Sequence, residues 1–262
     1  KTRVFFARKA NKALCFVDAA REGGLGVDVA SENELRQVLG RDVAPENIIL
    51  SAAIKTDGLL RLAVSRGVTI SCDSRAECGR IAAIARALDT TARVAPRLAP
   101  DPDILPPTRF GERLPAWQKA AWPTELRAVG VHIHLHGYSE ADRRTALAEA
   151  ITLVEHLRAM NQPANFIDIG GGVPMSYLES REQWENYLER IASQRAGTGE
   201  PFTWKADPLS NTYPFWQEPT RGQWLDQLLS GEVPGYGTAG KELRERDIAL
   251  HLEPGRSLLD GC

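Results

Sequence analysis

A lysine stands just after the first apolar run of the chain, in Ala7-Arg8-Lys9-Ala10-Asn11. An amine in that position, once partly desolvated, is a candidate nucleophile, although alone it reads as readily as a solvated charge. Further on, His132-Ile133-His134-Leu135-His136 sets three imidazoles at every second residue, so a strand there would carry all three on one face. Such a row suits a metal ion, or a single imidazole stacked on an aromatic ring with structural neighbours. The sequence places no obvious carboxylate to complete a metal set. Gly170, Gly171 and Gly172 let backbone N–H groups come close to an anion, with no Cβ in the way. They do not form G-x-G-x-x-G on a first βα unit, which argues against a dinucleotide site. Near the end of the chain, Glu253-Pro254-Gly255-Arg256 joins a carboxylate able to partner a basic ring nitrogen to a guanidinium fork suited to phosphate.

These groups act together only if the fold gathers them. Short apolar runs at 3–7, 25–30, 47–52, 68–73, 92–98, 128–135, 165–171 and 248–254 alternate with stretches of helical period, among them 32–40, 57–67, 75–89 and 142–161. Eight runs are more than an open doubly wound sheet usually needs, and they predict a closed α/β structure, a (β/α)8 TIM barrel spanning 1–262. Ser31 and Ser74 stand where helix N-caps belong, after the second and fourth runs. In such barrels chemistry sits at the C-terminal ends of the strands. Lys9, His134, the three glycines, Glu253 and Arg256 each fall at the end of a run. An amine, a stacking imidazole, a glycine cradle, a carboxylate and a guanidinium are together the parts that grip pyridoxal phosphate.

Two stretches break the rhythm. Residues 99–124, rich in Pro and Trp, read as too polar and broken for core. Residues 197–245 are far longer than an ordinary βα loop and carry Tyr213, Phe215, Trp216 and Trp224. A lid or pocket wall on one side, and a subunit contact or a small packed appendage on the other, are equally good readings of them. The charges nearly cancel, 32 Lys+Arg against 34 Asp+Glu, which argues against nucleic acid or an anionic membrane as the main partner. No apolar run is long enough to span a bilayer. Cys15, Cys72, Cys78 and Cys262 show neither CxxC nor zinc-finger spacing, as expected of reduced thiols in a cytoplasmic protein.

The motifs RKAN (8–11), VDVASENEL (27–35), TRFG (108–111), GVHIHLHG (130–137), IDIGGG (167–172) and EPGR (253–256) follow one another in a familiar order. From first strand to last the chain resembles the fold-type III decarboxylases acting on ornithine, arginine and diaminopimelate, which share an alanine-racemase-like barrel. The resemblance implies a pyridoxal-phosphate-dependent amino-acid decarboxylase in which Lys9 holds the cofactor as a Schiff base and His134 stacks on its ring. It implies that Gly170, Gly171, Gly172, Gly255 and Arg256 hold the phosphate and that Glu253 faces the pyridine nitrogen. Asp28 and Arg97 would line the cofactor, and Lys9, His134 and Glu253 would be the catalytic groups, with no metal. A cytoplasmic homodimer taking a small amino acid is implied as well. A racemase would use the same barrel but usually sets an Arg at the ring nitrogen, so Glu253 speaks for decarboxylation. A non-catalytic barrel that binds pyridoxal phosphate is the other alternative.

The chain departs from the family pattern after the stacking histidine, where Gly and Ser are usual and His136 and Gly137 stand instead, followed by Tyr138 and Ser139. Either Ser139 shifts inward or the phosphate loses one hydroxyl. Arg8 before the lysine and the aromatic insert are further departures. The family barrel is followed by a β-sandwich domain that brings a catalytic Cys across a dimer interface. Cys262 lies only six residues after Arg256, too near to be that Cys, so the chain is read as the barrel part of a longer protein.

Overall fold

The computed structural model describes residues 1–209 and 212–259. Cys262 lies outside the described residues. In chain order the strands are β1 (Thr2–Ala7), β2 (Gly26–Val29), β3 (Ile48–Leu50), β4 (Thr69–Cys72), β5 (Ala92–Leu98), β6 (Leu126–Ala128), β7 (Val131–Ile133), β8 (Phe166–Asp168), β9 (Thr203–Trp204), β10 (Asp207–Pro208) and β11 (Ala249–Leu252). The pairing runs β1, β2, β3, β4, β5, then β6 with β7, then β8, then β11, which returns to β1 in parallel. The barrel is closed, with eight staves, all parallel. The sixth stave is split where a single run over 128–135 was expected. Gly130 sits in the gap, and a Cβ there would lie 2.6 Å from the Phe166 ring, so the backbone is pressed against an aromatic edge.

The helices are α1 (Leu14–Glu22), α2 (Glu32–Leu39), α3 (Asp57–Arg66), α4 (Arg75–Ala87), α5 (Leu114–Gln118), α6 (Glu140–Ala159), α7 (Arg181–Arg195), α8 (Arg221–Ser230) and α9 (Ala239–Glu245). Ser31 and Ser74 cap α2 and α4 as expected, accepting from Glu34 N at 3.3 Å and Glu77 N at 3.1 Å. The helical faces bury Leu35, Leu60, Ile81, Leu147 and Val154 against the outside of the barrel. This shell is the main core.

The barrel interior is layered differently. Side chains alternate along each strand, so Phe166 and Asp168 both point inward. Ala95, Val129 and Phe166 form a small apolar layer low in the barrel. Above it the lining turns polar, and the register sets Arg97, His132 and Asp168 side by side on β5, β7 and β8. A polar layer beneath one mouth is a foundation for a charged site.

The stretch 99–124 does contribute to the core. Trp117 on α5 is fully buried, and its indole N–H donates to the Arg97 carbonyl at 2.8 Å. That bond lets the ring be buried without an orphaned donor. The insert is also more regular than its composition implies. Its second half forms α8 and α9, which bury Trp224, Leu228 and Leu243 in the helical layer. Only its first half is irregular, with an exposed β9–β10 hairpin.

Candidate cofactor site

Lys9 lies in a one-turn helix immediately after β1. Its Nζ is 3.3 Å from Asp28 Oδ2 at the end of β2, and Asp28 also accepts from the Ser51 hydroxyl. The Asp28 charge raises the Lys9 pKa above the ordinary lysine value, outweighing the burial that pulls the other way. The sequence suggested an amine made nucleophilic by desolvation. The structure shows instead an ammonium held and aimed by a buried carboxylate.

Opposite Lys9, Glu253 closes β11 and is buried to 1 % exposure. Neither of its carboxylate oxygens makes a hydrogen bond within the described residues. The nearest cationic candidate, His132 Nε2, is 3.8 Å away and is itself unpartnered. Asp168 accepts from Gly170 N at 2.8 Å through Oδ1, while Oδ2 has no partner. Burial, with repulsion from Asp168 and Asp28, pushes the Glu253 carboxyl well above the usual range, and burial with the Asp28 charge raises Asp168 to about 7. Buried polar atoms are rarely left unpaired, so this concentration marks a place built for something the chain alone does not supply. A protonated pyridine nitrogen, which donates one N–H and carries positive charge, meets the Glu253 oxygens on both counts. Pyridoxal phosphate therefore fits the donor set at this end.

His134 leaves the end of β7 with its ring edge-on to Phe110 at 6.3 Å and to His132 at 6.0 Å. Burial drives its pKa down to about 3, so it presents a neutral ring. His132 is fixed from behind by the Ser71 hydroxyl at 2.5 Å. His136 lies further beyond the strand and is exposed, and it lines the same cavity as His134. One ligand atom from each of His132, His134 and Glu253 falls within a 4.8 Å group, so the fold supplies the carboxylate that the sequence did not locate for a metal set. The same three groups are those that a pyridoxal ring would occupy.

The glycines form the far wall. Gly170 and Gly172 have φ of +68° and +76°, a region that strains any residue with a Cβ. A Cβ on Gly171 would lie 3.0 Å from the Glu253 carbonyl, and one on Gly255 would lie 2.7 Å from the Ala10 Cβ. Lys9, His134, Gly171, Gly172, Glu253 and Arg256 line one cavity of about 570 Å³ at this mouth. The structure thus brings together the expected Lys9, His134, Gly171, Gly172, Glu253 and Arg256. Asp28 sits beneath Lys9. Arg97 is a layer deeper, its guanidinium taken up by Asp73 at 2.9 Å and the Ser51 carbonyl at 2.5 Å and lying beside His132.

Arg143, which no sequence motif singles out, stands behind Gly171. It is 1 % exposed and donates to Ser139 O at 2.9 Å, Gly137 O at 3.1 Å and Gly171 O at 2.8 Å. Its guanidinium lies 5.3 Å from the Trp224 ring centroid, and Trp224 donates its indole N–H to the Tyr138 carbonyl at 2.7 Å. The loops after β7 and β8 are therefore tied to each other and to the insert by one buried cation and one tryptophan.

Comparison with known proteins decides the family. Residues 1–202 match the pyridoxal binding domain of the pyridoxal-dependent decarboxylases. The chain belongs to that family. Pyridoxal phosphate is its cofactor. An uncharacterised protein of Sinorhizobium fredii is 31% identical over 264 residues, covering 98% of this chain and 55% of its own length. The diaminopimelate decarboxylase of Zymomonas mobilis is 29% identical over 200 residues, or 70% of this chain and 47% of the relative. The chain thus spans about half the length of the curated relatives it matches. Among solved structures, the diaminopimelate decarboxylase of M. jannaschii in complex with L-lysine superposes with a TM-score of 0.73 at 21% identity, covering 98% of this chain and 54% of that one. The Helicobacter pylori enzyme with L-lysine gives a TM-score of 0.68 at 20% identity, covering 99% and 58%. These two likenesses speak for the fold.

Proposed function

We propose that this chain is the cofactor-holding barrel of an amino-acid decarboxylase of the diaminopimelate and ornithine type. The observation that carries the reading is the buried, unpartnered Glu253 carboxylate facing the same cavity as Lys9 and His134. Pyridoxal phosphate, when bound, supplies an electron sink for the pair left on Cα as CO2 departs. Lys9 is the anchoring amine, and Asp28 beneath it orients the amine and balances its charge. Glu253, as a carboxylate, would hold a proton on the ring nitrogen, and the positive charge there would supply the counter-charge that its burial among protein groups lacks. His134, neutral and buried, covers one ring face and excludes water there. The Gly170–Gly172 amides and Arg256 receive the phosphate.

An acid at the end of β11, rather than a guanidinium, favours decarboxylation over racemisation. The diaminopimelate decarboxylases among the relatives make an amino acid with a polar distal group the first substrate to try. A cytoplasmic homodimer completes the proposal, on the strength of the family resemblance. The test is a panel of meso-diaminopimelate, ornithine, arginine and lysine, assayed for CO2 release and for loss of optical rotation. Release of CO2 without racemisation is expected. Racemisation without CO2, or protein carrying stoichiometric metal and no pyridoxal phosphate, would overturn the reading.

A further inference from the structure

Arg256 ends the EPGR turn with its side chain in an unusual setting. One guanidinium nitrogen donates to the Tyr138 hydroxyl, and the group lies 3.9 Å from the Tyr213 ring centroid. Its own carbonyl is held by the Tyr177 hydroxyl at 2.5 Å. Among the described residues no carboxylate pairs with it. The cation is therefore fixed in direction yet not neutralised, and it faces the cavity that Gly171, Gly172 and Gly255 also line.

Hydrogen-bond polarity then determines what Tyr138 does. A guanidinium only donates, so the phenol oxygen accepts, and the phenol's own O–H is left to donate elsewhere. Tyr138 lines the same cavity as the glycine amides. Its backbone is fixed, because its carbonyl accepts from Trp224 Nε1 at 2.7 Å. Ser139, the other hydroxyl in this loop, caps α6, where its Oγ accepts from Asp142 N at 3.0 Å, and unlike Tyr138 it is not among the residues that line this cavity.

We infer that Tyr138 is a phosphate-binding residue, its hydroxyl donating to the cofactor's phosphate as one half of a Tyr138–Arg256 clamp. This rests on the reading of the cavity as the pyridoxal phosphate site. It resolves the alternatives left by the sequence: Ser139 stays on its helix, and the hydroxyl comes from the residue before it.

The experiment compares pyridoxal phosphate with pyridoxal, which lacks the phosphate, on the wild-type protein and on Tyr138→Phe. Binding is followed by the aldehyde's absorbance, and folding by circular dichroism. Loss of one hydrogen bond to a charged group predicts that Tyr138→Phe weakens pyridoxal phosphate about 10- to 100-fold and leaves pyridoxal unchanged. Equal affinity of the two proteins for pyridoxal phosphate overturns the inference while the cofactor reading stands. An equal loss for both ligands also overturns it, since the ring would then act by packing rather than on the phosphate. Failure of the wild type to take up pyridoxal phosphate sinks the inference together with the reading beneath it. Should the Phe variant fold poorly, Tyr138→Gln, which keeps a donor, must retain more of the phosphate preference than Tyr138→Leu; no difference between them counts against the clamp.

Discussion

Arg143→Met isolates the buried cation behind the glycine cradle. Methionine preserves most of the length and apolar stem but leaves Ser139 O, Gly137 O and Gly171 O without their donor. Hydrogen bonds from charged donors are worth about 1.5–3 kcal/mol each, so three bring roughly 6 kcal/mol. Burial of the guanidinium works against this, having pulled its pKa from 12.5 to about 10. At about 1.4 kcal/mol per unit, that shift costs roughly 3 kcal/mol. The difference predicts a destabilisation of about 3 kcal/mol, read as a lower urea midpoint with an unchanged m-value. Because Gly171 belongs to the cradle, affinity for pyridoxal phosphate should fall with it, by about tenfold or more. Arg143→Lys keeps the charge but not the planar fork, and should fall between wild type and Met. A change under about 1 kcal/mol in Arg143→Met, with cofactor affinity intact, would refute the idea that this residue ties the two loops together.

Three further outcomes follow from the site. Glu253→Gln should retain pyridoxal phosphate while losing about 100-fold or more in kcat, because an amide cannot hold a proton on the ring nitrogen; steady-state kinetics beside cofactor content checks the split. Asp168, with its carboxyl raised from 3.8 to about 7, stabilises the cofactor-free protein fully only below its unfolded pKa and loses that contribution as pH rises towards 7. The loss reaches the order of 4 kcal/mol, so Asp168→Asn should show a flatter fall of urea stability between pH 4 and 7 than wild type, and parallel profiles would contradict the assignment. Trp224→Phe removes the indole donor to the Tyr138 carbonyl and should cost about 1 kcal/mol in thermal or urea unfolding.

The closed barrel was legible because its strands are buried on both faces and read as short apolar runs separated by helical period. Lys9, His134, the glycines and Glu253 were legible because each lies at the end of such a run, where a parallel barrel collects its functional groups. What escaped were groups whose roles depend on non-local neighbours. Asp168 ends β8 two residues before Gly170, and alternation with Phe166 alone would have turned it into the barrel. Arg143 gave no comparable signal, since an arginine in the first turn of a helix is ordinarily solvated, and only the loops after β7 and β8 make it a buried tie. Trp117 was not legible as core because polar, proline-rich surroundings hid an aromatic ring that buries itself by donating to a backbone carbonyl. The strand stops at Ile133, so alternation governs neither His134 nor His136 beyond it, yet the turn still brings both to the cavity.

The claim on which the rest depends is that Lys9 anchors pyridoxal phosphate. Incubation with the cofactor, reduction with borohydride, proteolysis and mass spectrometry would locate the attachment directly. A yellow protein whose reduced adduct maps to the peptide bearing Lys9, and which is lost in Lys9→Ala, is the predicted result. An adduct on Lys12 or Lys55 instead, or a colourless protein with a metal ion held by His132, His134 and Glu253, would contradict it.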